Sequence, residues 1–527
     1  EVPMFLSDLL VKEATLVGKF HQKDPTETLV RKIAEGRQLN AVQVLEDLRK
    51  RESSGPTLIP QGSYGVAIPH TFSTSCKQLL IGVAVIPEGI VWKGTASKAN
   101  VVFLVLGPPQ TNALYLKLLS RIALLCRKRG FLSGIAKQST PAAVLKFIKE
   151  MEHSLGPIEP LPDMPVFGVF GSGHGGMAMA GYLALTGCTV KLFNRTPEHI
   201  DAVRCRGGID VVGEINGFAE LSTVSSDPEK VFPECQVIMV VVPATAHRDA
   251  ARILAPYLTE DQIVVLNPGR TGGALEVNRI LREQNPGVQP YLAEAETLLF
   301  ASRIINPGQV RIFRIKNAVP MATLPAYLAP DILPVIRKAL PQFVPGDNIL
   351  KTSFDNIGAV FHPAITILNS ARIEDTHGQF QYYVEGVTPA VAKVLEAIDG
   401  ERVRVAEALG IRAQTAREWL YMTYDSAGTT LHTAMQANPG YRGINAPATI
   451  QHRYITEDVP TSLVPIASIG EMLGVATPVI HAMIDIAGAM HGTDYWRSGR
   501  TVDSLGIKGM SVKEIRFLVN GIDLPPR

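Results

Sequence analysis

Six consecutive residues have the types and spacing needed to bind the pyrophosphate of a dinucleotide: Gly171, Ser172, Gly173, His174, Gly175 and Gly176. They lie between an apolar run at residues 166–170 and a helical stretch, and their glycines fit the pattern G-x-G-x-x-G. In this pattern the first glycine permits a tight turn, the second admits the pyrophosphate, and the third lets the helix pack on the strand. The sequence therefore predicts a strand, a turn and a helix whose N-terminus faces a dinucleotide.

The residues that follow the second predicted strand, residues 188–193, indicate which dinucleotide binds. An acidic residue is expected there when the ribose 2′-hydroxyl is read, but this chain has Asn194, Arg195 and Thr196. Because a guanidinium pairs with a 2′-phosphate, Arg195 favours NADP(H), with NAD(H) as the alternative. An ordinary surface arginine is the competing interpretation. Pro243, after the apolar run at residues 237–242, is a further predicted cofactor contact.

Three polar residues further along could carry proton transfer next to a nicotinamide: His362, Arg453 and Asp458. Chemistry on a carbonyl or imine needs a proton donor and acceptor, a group that fixes its tautomer, and a cation for substrate carboxylates. His362, Asp458 and Arg453 could supply these three roles, in that order. A buried histidine paired with an aspartate for structural reasons is the alternative.

The N-terminal part has a different candidate, His70, at the end of the string Gly-Val-Ala-Ile-Pro-His. A histidine that follows a proline at a strand edge is held in one orientation. With a neutral nitrogen and a nearby cation such as Arg51, it could accept a phosphoryl group. A half-buried turn histidine is the competing interpretation.

The chain of 527 residues is long enough for about three domains. Proline and glycine are frequent in residues 153–164, which are predicted to form a linker after an N-terminal α/β domain at residues 1–152. Alternating strands and helices predict an α/β Rossmann domain at residues 165–346. Long helical periods, as at residues 389–409 and 462–490, predict a mostly α-helical domain at residues 347–527.

Composition excludes several classes of protein. The net charge of +2 lacks the large positive excess typical of nucleic-acid-binding proteins. The apolar runs are too short to span a bilayer. The five cysteines lack C-x-x-C spacing, which favours reduced core residues in a cytoplasm over disulfides or a metal site. A homodimer is compatible with the sequence but not indicated by it.

Residues 165–527 resemble the octopine and nopaline dehydrogenase family. The resemblance rests on the His-Pro segment at His362, the Arg-Tyr-x-x-Glu-Asp-Val-Pro segment from Arg453, and the Gly-Arg-Thr-x-x-x-Leu-Gly segment at residues 499–506. It implies an opine dehydrogenase, which condenses an amino acid with a 2-oxo acid and reduces the imine with NAD(P)H. It also implies that His362 transfers the proton, Asp458 holds the imidazole and Arg453 pairs with a substrate carboxylate.

Most of residues 4–150 resemble the enzyme IIA domain of the fructose and mannitol branch of the sugar phosphotransferase system. The shared order is Arg51-Glu52, then Ala-Ile-Pro-His ending at His70, then Gly-Ile-x-Trp. This resemblance implies that the general phosphocarrier protein phosphorylates His70 beside Arg51. The family usually has a second active-site histidine where this chain has Tyr115, which cannot carry an imidazolium charge. We therefore expect relay of the phosphoryl group to be impaired.

Two functions follow from these resemblances. The chain is either a working dehydrogenase in a bacterial cytoplasm with a regulatory phosphotransferase-type domain, or a regulatory protein. In the second case His70 reports phosphotransferase flux and the dehydrogenase fold senses a ligand. The complete set of His362, Arg453, Asp458 and Arg195 favours the first, because a sensor has no need of proton-transfer groups.

Overall fold

A computed structural model describes residues 5–20, 24–35, 37, 39–52, 58–61, 64–92, 97–108, 112–156 and 164–521. The chain divides into two units, the first built from residues 1–164 and 185–187 and the second from residues 165–184 and 188–527. Residues 157–163 of the predicted linker lie outside the described residues.

The first unit is a mixed sheet with helices on both faces. Its elements are β1 (Leu10–Val17), α1 (Pro25–Ala34), α2 (Ala41–Glu52), β2 (Leu58–Gln61), β3 (Tyr64–Ala67), β4 (His70–Phe72), β5 (Leu80–Val91), β6 (Lys98–Gly107), α3 (Asn112–Arg127), α4 (Phe131–Ile135) and α5 (Pro141–His153). The strand order is β1-β5-β6-β3-β2, and β4 also pairs with β6. Apolar residues of α1 and α2 pack with one set of strand residues, and those of α3 to α5 pack with another. The N-terminal α/β domain predicted from the sequence is thus an α/β sandwich.

The second unit contains twelve strands among the described residues. They are β7 (Phe167–Phe170), β8 (Val190–Phe193), β9 (Gly208–Gly213), β10 (Gly217–Glu220), β11 (Thr223–Ser225), β12 (Val237–Val240), β13 (Ile263–Leu266), β14 (Tyr291–Ala295), β15 (Phe300–Asn306), β16 (Gln309–Ile315), β17 (Val319–Leu324) and β18 (Phe343–Pro345). The larger sheet has the order β11-β8-β7-β12-β13-β14-β17-β18. The first six strands in this order run parallel to one another. Its central strands are apolar on both faces, as buried parallel strands require. This is the predicted Rossmann sheet.

A second, smaller sheet has the order β10-β9-β16-β15 and was not predicted. We call residues 165–346 of this unit the Rossmann half. Its helices are α6 (His174–Leu185), α7 (Asp201–Arg206), α8 (His247–Leu254), α9 (Gly273–Gln284) and α10 (Ala329–Arg337). The expectation that the cysteines are core residues is wrong for Cys205, which is exposed on α7, whereas the other four are buried and all five are free.

The rest of the unit, from residue 347 onward, is helical, as predicted, and we call it the helical half. The helices are α11 (Ile349–Phe354), α12 (Gly358–Leu368), α13 (Ser370–Thr376), α14 (Pro389–Ala408), α15 (Ala416–Tyr424), α16 (Leu431–Ala437), α17 (Arg453–Thr456), α18 (Val464–Leu473), α19 (Pro478–His491), α20 (Tyr495–Ser498) and α21 (Val512–Asn520). The Thr388 side chain caps α14 by accepting from Val391 N, with proline at the first helical position. The periodicity at residues 462–490 does not form one helix, because Gly474 adopts a left-handed φ of 71° and ends α18. One hydrophobic core runs from the Rossmann sheet through these helices.

Candidate active site

The glycine turn has the geometry that a pyrophosphate site requires. Gly171 has a φ of 113° at the end of β7, and its amide donates to the Phe193 carbonyl over 2.8 Å. A Cβ at position 176 would lie 1.9 Å from the Gly171 carbonyl oxygen, so α6 could not approach the turn. A Cβ at Gly173 would meet nothing within 4 Å, which leaves open space beside the helix N-terminus. These residues therefore fit a dinucleotide.

Asn194 ties this turn to the end of β8. Its Oδ1 accepts from Ser172 N over 3.2 Å, and its Nδ2 donates to the Thr196 carbonyl over 3.0 Å. The adjacent Arg195 is 70% exposed and lies 3.4 Å from Asp249 Oδ2 at the start of α8. Asn194 thus shapes the loop, and the Arg195 guanidinium projects into solvent.

Two other residues were predicted to contact the cofactor, Pro243 and His174. Pro243 precedes the short 3-10 helix Ala244–Ala246, which follows β12 at the carboxyl edge of the sheet. His174 Nδ1 accepts from Ile304 N over 3.1 Å, and this contact ties the start of α6 to β15. His174 therefore contacts the smaller sheet through its ring.

His362 and Asp458, 96 residues apart in sequence, meet in the helical half of the unit. His362 on α12 donates from Nδ1 to Asp458 Oδ2 over 2.9 Å. Burial would raise the pKa of the fully buried Asp458, but the charge of Arg270 and the His362 hydrogen bond together lower it. The carboxylate is therefore ionised and accepts the proton on His362 Nδ1, which leaves Nε2 as the reactive nitrogen.

Arg270, which sequence reasoning did not single out, completes this group from the Rossmann half. It follows β13, has a left-handed φ of 59°, and places Nη1 3.3 Å from Asp458 Oδ1. Its Nε lies 3.5 Å from Glu457 Oε1. Although burial opposes it, the charges of Asp458 and Glu457 raise the pKa of Arg270. The available signal was the turn Asn-Pro-Gly directly before it, at the carboxyl edge of a parallel sheet.

Arg453 begins α17 and directly precedes Tyr454, whose ring stacks on His362. The Arg453 side chain is 56% exposed, and its Nη2 forms an ion pair with Glu457 Oε2 at 2.9 Å. Glu457, which is buried, also accepts from Ala244 N over 3.1 Å and faces Arg270. One buried carboxylate therefore links the predicted arginine to the one that the sequence reasoning missed.

A cavity of about 830 Å³ opens beside His362 and Arg270. Such a volume suits a small-molecule substrate. Its charged lining residues include Glu296, Lys316 and Lys351, and most of its aromatic lining comes from the helical half. Residues 171–176, 194–196 and Arg453 do not line it. The cavity is thus lined by His362, which was predicted, and by Arg270, which was not.

Arg500, from the Gly-Arg-Thr segment, is buried and surrounded by hydrogen-bond partners. Its fully buried guanidinium donates to Glu276 Oε2 over 2.8 Å and to the carbonyls of Gly269, Thr271 and Ala244. It also contacts His247 Nδ1 over 2.9 Å. Arg500 therefore joins the C-terminal segment to loops of the Rossmann sheet.

The first unit holds His70 in a buried position at the start of β4. The Nδ1 atom of His70 lies 3.0 Å from the Ile68 carbonyl, which fixes the proton on Nδ1 and leaves Nε2 as the acceptor nitrogen. Burial, with a contribution from the Arg51 charge, lowers the pKa of His70 to about 4. The ring is therefore neutral at pH 7.

Tyr115 packs against His70 with ring centroids 4.9 Å apart. Its hydroxyl is buried and has no hydrogen-bond partner among the described residues. Burial raises the pKa of Tyr115, so the group is a neutral hydroxyl beside the imidazole. The structure thus brings His70, Arg51 and Tyr115 into one neighbourhood in which Arg51 carries the positive charge.

Within the described ranges, no three His, Cys, Asp or Glu side chains are grouped to hold a metal ion. None of the helices described is both long and apolar enough to cross a bilayer.

Three parts of the chain match known families. Residues 345–491 match the NAD/NADP octopine/nopaline dehydrogenase α-helical domain, and residues 167–292 match ketopantoate reductase PanE/ApbA. Residues 23–151 match the EIIA 2 component of the phosphoenolpyruvate-dependent sugar phosphotransferase system.

Individual relatives match this chain over nearly their whole length. An opine dehydrogenase of Arthrobacter sp. (strain 1C) is 40% identical over 354 residues, which cover 67% of this chain and 98% of that protein. The protein ocs of Agrobacterium tumefaciens (strain Ach5) is 24% identical over 361 residues, covering 67% and 99%.

Solved structures agree with the fold. An octopine dehydrogenase in complex with NADH and L-arginine has a TM-score of 0.59 at 20% identity, and it covers 69% of this chain and 100% of its own. Yersinopine dehydrogenase with NADP⁺ bound has a TM-score of 0.55 at 13% identity, with coverages of 68% and 98%. Each likeness extends over about two thirds of this chain.

Proposed function

The chain belongs to the opine dehydrogenase family of NAD(P)-dependent oxidoreductases acting on CH–NH groups, and we propose that it joins an amino acid to a 2-oxo acid. In this reaction the amine and the carbonyl condense to an imine with loss of water. The nicotinamide, when bound, supplies a hydride to the imine carbon, and a proton completes the secondary amine. The reverse reaction is the oxidative alternative.

The observation that carries this proposal is the His362–Asp458 pair beside the cavity. The protonated imidazole of His362 donates from Nε2 to the carbonyl oxygen as it leaves in the reductive direction. In the oxidative direction the same nitrogen accepts the amine proton. Asp458 holds the ring in one tautomer and stabilises its cation, which general acid–base catalysis requires.

Two arginines are assigned to the two carboxylates of the condensation product. Arg270 lines the cavity beside His362, which supports it as one partner. The family resemblance assigns Arg453 to the other carboxylate. Arg453 and Arg270 both pair with Glu457, which supports a shared site. Guanidinium groups suit this task because they bind carboxylates through two parallel hydrogen bonds.

We also propose that NADP(H) is the preferred cofactor. Arg195 supports this, because its exposed guanidinium follows β8 where the ribose 2′ position is read. Arg195→Ala should weaken NADPH binding about 10-fold to 100-fold and leave NADH binding nearly unchanged, since one charge-assisted phosphate contact is lost. Equal wild-type affinity for the two cofactors, measured by fluorescence titration, would contradict the assignment.

The experiment for the activity is NADPH oxidation with a panel of amino acids and 2-oxo acids. Oxidation is expected only when both substrates are present, with a secondary amine as the product identified by mass spectrometry. Oxidation with a 2-oxo acid alone would indicate a hydroxy-acid dehydrogenase instead. No oxidation with any pair, in protein that binds NADPH, would favour a regulatory role with a ligand-sensing fold.

A second function is supported by the first unit. We propose that His70 accepts a phosphoryl group at Nε2 from the phosphocarrier protein and that this modification regulates the dehydrogenase. The support is the neutral, tautomer-fixed ring together with the Arg51 charge. Tyr115 replaces a second histidine, so relay to another protein is expected to be slow.

Incubation with the phosphocarrier, its kinase and phosphoenolpyruvate tests this role. Mass spectrometry under alkaline conditions should find the phosphoryl group on His70 and none in His70→Ala. His153→Ala, which changes another histidine of this unit, is the control and should keep the label. Absence of label on the wild type rejects phosphorylation, and labelled protein with unaltered dehydrogenase kinetics rejects regulation.

A further inference from the structure

We propose that the amino-acid substrate carries a large apolar side chain, which is received by an aromatic wall in the cavity. This inference rests on the proposed function of the second unit. We define the aromatic wall as Phe361, Tyr383, Trp419, Tyr424 and Tyr441, all of which line the cavity.

The rings of the aromatic wall touch one another in series. Phe361 and Trp419 meet edge to face with centroids 6.3 Å apart, and Trp419 meets Tyr424 in the same way at 5.4 Å. Tyr424 and Tyr441 are 6.0 Å apart, and Tyr441 stacks on Tyr383 at 4.2 Å. Because each ring is held by its neighbours, the aromatic wall is a preformed apolar surface.

The aromatic wall leads directly to the proton-transfer group. Phe361 precedes His362 on α12, and Tyr383 contacts Tyr382 at 4.9 Å. Tyr382 contacts Tyr454 at 5.2 Å, and Tyr454 stacks on the His362 ring at 4.2 Å. Because His362 lines the same cavity as the aromatic wall, a substrate whose reacting nitrogen lies at His362 would direct its side chain along the aromatic wall.

The aromatic wall is electrically neutral. Burial raises the pKa of Tyr383, Tyr424 and Tyr441, so their hydroxyls stay protonated at pH 7. Every ring of the wall belongs to the helical half of the unit, whereas the glycine turn and residues 194–196 do not line the cavity. The occupant of the wall is thus a part of the substrate, not of the cofactor.

The charges near the aromatic wall argue against a cationic side chain. A buried cation needs a carboxylate, but Asp355 is ion-paired with Lys351 and accepts from Gln414 N over 2.8 Å. Of the other carboxylates of the cavity, Asp347 is exposed before α11, and burial raises the pKa of Glu296 to about 7, which weakens it as a partner for a cation. Cation–π attraction alone would not replace the lost hydration of a guanidinium.

The test compares kcat/KM for phenylalanine, leucine, alanine and arginine with pyruvate and NADPH. Phenylalanine and leucine should exceed both alanine and arginine by about 10-fold to 200-fold, the range by which hydrophobic pockets discriminate. Trp419→Ala and Tyr424→Ala should each reduce the phenylalanine-to-alanine ratio by about 10-fold or more. Tyr421→Ala is the matched control, because Tyr421 is an exposed tyrosine on the same helix that does not line the cavity.

A wild-type preference for arginine, or equal rates with alanine and phenylalanine, would overturn the inference while the proposed function stands. Turnover with none of these four amino acids but with another member of the wider panel would overturn the inference alone. Oxidation with no pair of the wider panel would reject the proposed function and this inference with it. The wild-type ranking decides the matter even if a variant fails to fold.

Discussion

Replacement of Asp458 by asparagine isolates the role of one buried charge in proton transfer. The wild-type carboxylate lies between His362 Nδ1, at 2.9 Å, and the Arg270 guanidinium, at 3.3 Å. An asparagine has nearly the same shape, so the packing around this fully buried residue should survive. What changes is which atoms of the side chain can donate and accept hydrogen bonds.

Arg270 decides the orientation of the new amide. Its guanidinium attracts the amide oxygen and repels the NH₂ group, which must then turn toward His362 Nδ1. Nδ1 becomes an acceptor, so the neutral ring carries its proton on Nε2 and can no longer take the substrate's proton there. Loss of the general base together with the stabilising charge should lower kcat by about 10²- to 10⁴-fold, or about 3 to 5.5 kcal/mol.

The assay is steady-state kinetics in the oxidative direction, with the secondary amine as substrate, and NADPH affinity is measured in parallel. NADPH affinity should be unchanged, because the glycine turn is a separate part of the Rossmann half. Asp503→Asn is the matched control, since that carboxylate is 74% exposed and paired with Lys508 at 3.7 Å. A kcat for Asp458→Asn within about threefold of the wild type, with intact NADPH binding, would refute this reasoning. If the variant fails to bind NADPH, Asp458 is structural.

Three further substitutions test the cofactor turn, the core and the cavity. Gly176→Ala should abolish NADPH binding measured by fluorescence, because its Cβ would lie 1.9 Å from the Gly171 carbonyl oxygen; retained binding would contradict the packing described. Arg500→Met should lower the free energy of unfolding by about 3 to 5 kcal/mol in a denaturant titration, because it leaves a buried carboxylate short of a partner. The exposed control Arg497→Met should stay within about 0.5 kcal/mol, and similar losses for both would show that burial is not the cause. Arg270→Lys should raise the Michaelis constant of a substrate, since a point charge cannot replace a bidentate contact, and unaltered kinetics would remove it from the site.

Much of the fold was predictable because local sterics and apolar patterning specify it. The apolar run at residues 263–266 is β13, and the run before the glycine turn is β7. The smaller sheet was missed although β9–β10 and β15–β16 are local hairpins. The pairing that joins the two hairpins is long-range, because β16 lies beside β9 with Gln309 opposite Asp210. No local pattern records which distant strand will supply the partner.

The sequence by itself determined the chemistry available to this protein. The glycine spacing dictates the turn, since only glycine tolerates the φ of 113° at Gly171 or the contact at Gly176. The types of His362 and Asp458 likewise made a proton-transfer pair conceivable before any contact was known.

Tertiary structure decided which of these groups meet. Arg270 and Asp458 are 188 residues apart, yet the guanidinium lies against the carboxylate, whereas the predicted Arg453 turns to its helix neighbour Glu457. The aromatic wall is assembled from side chains between residues 361 and 441 that share no motif. The physical reason is that a buried charge or ring takes the partner that packing brings to it, and packing depends on the whole chain.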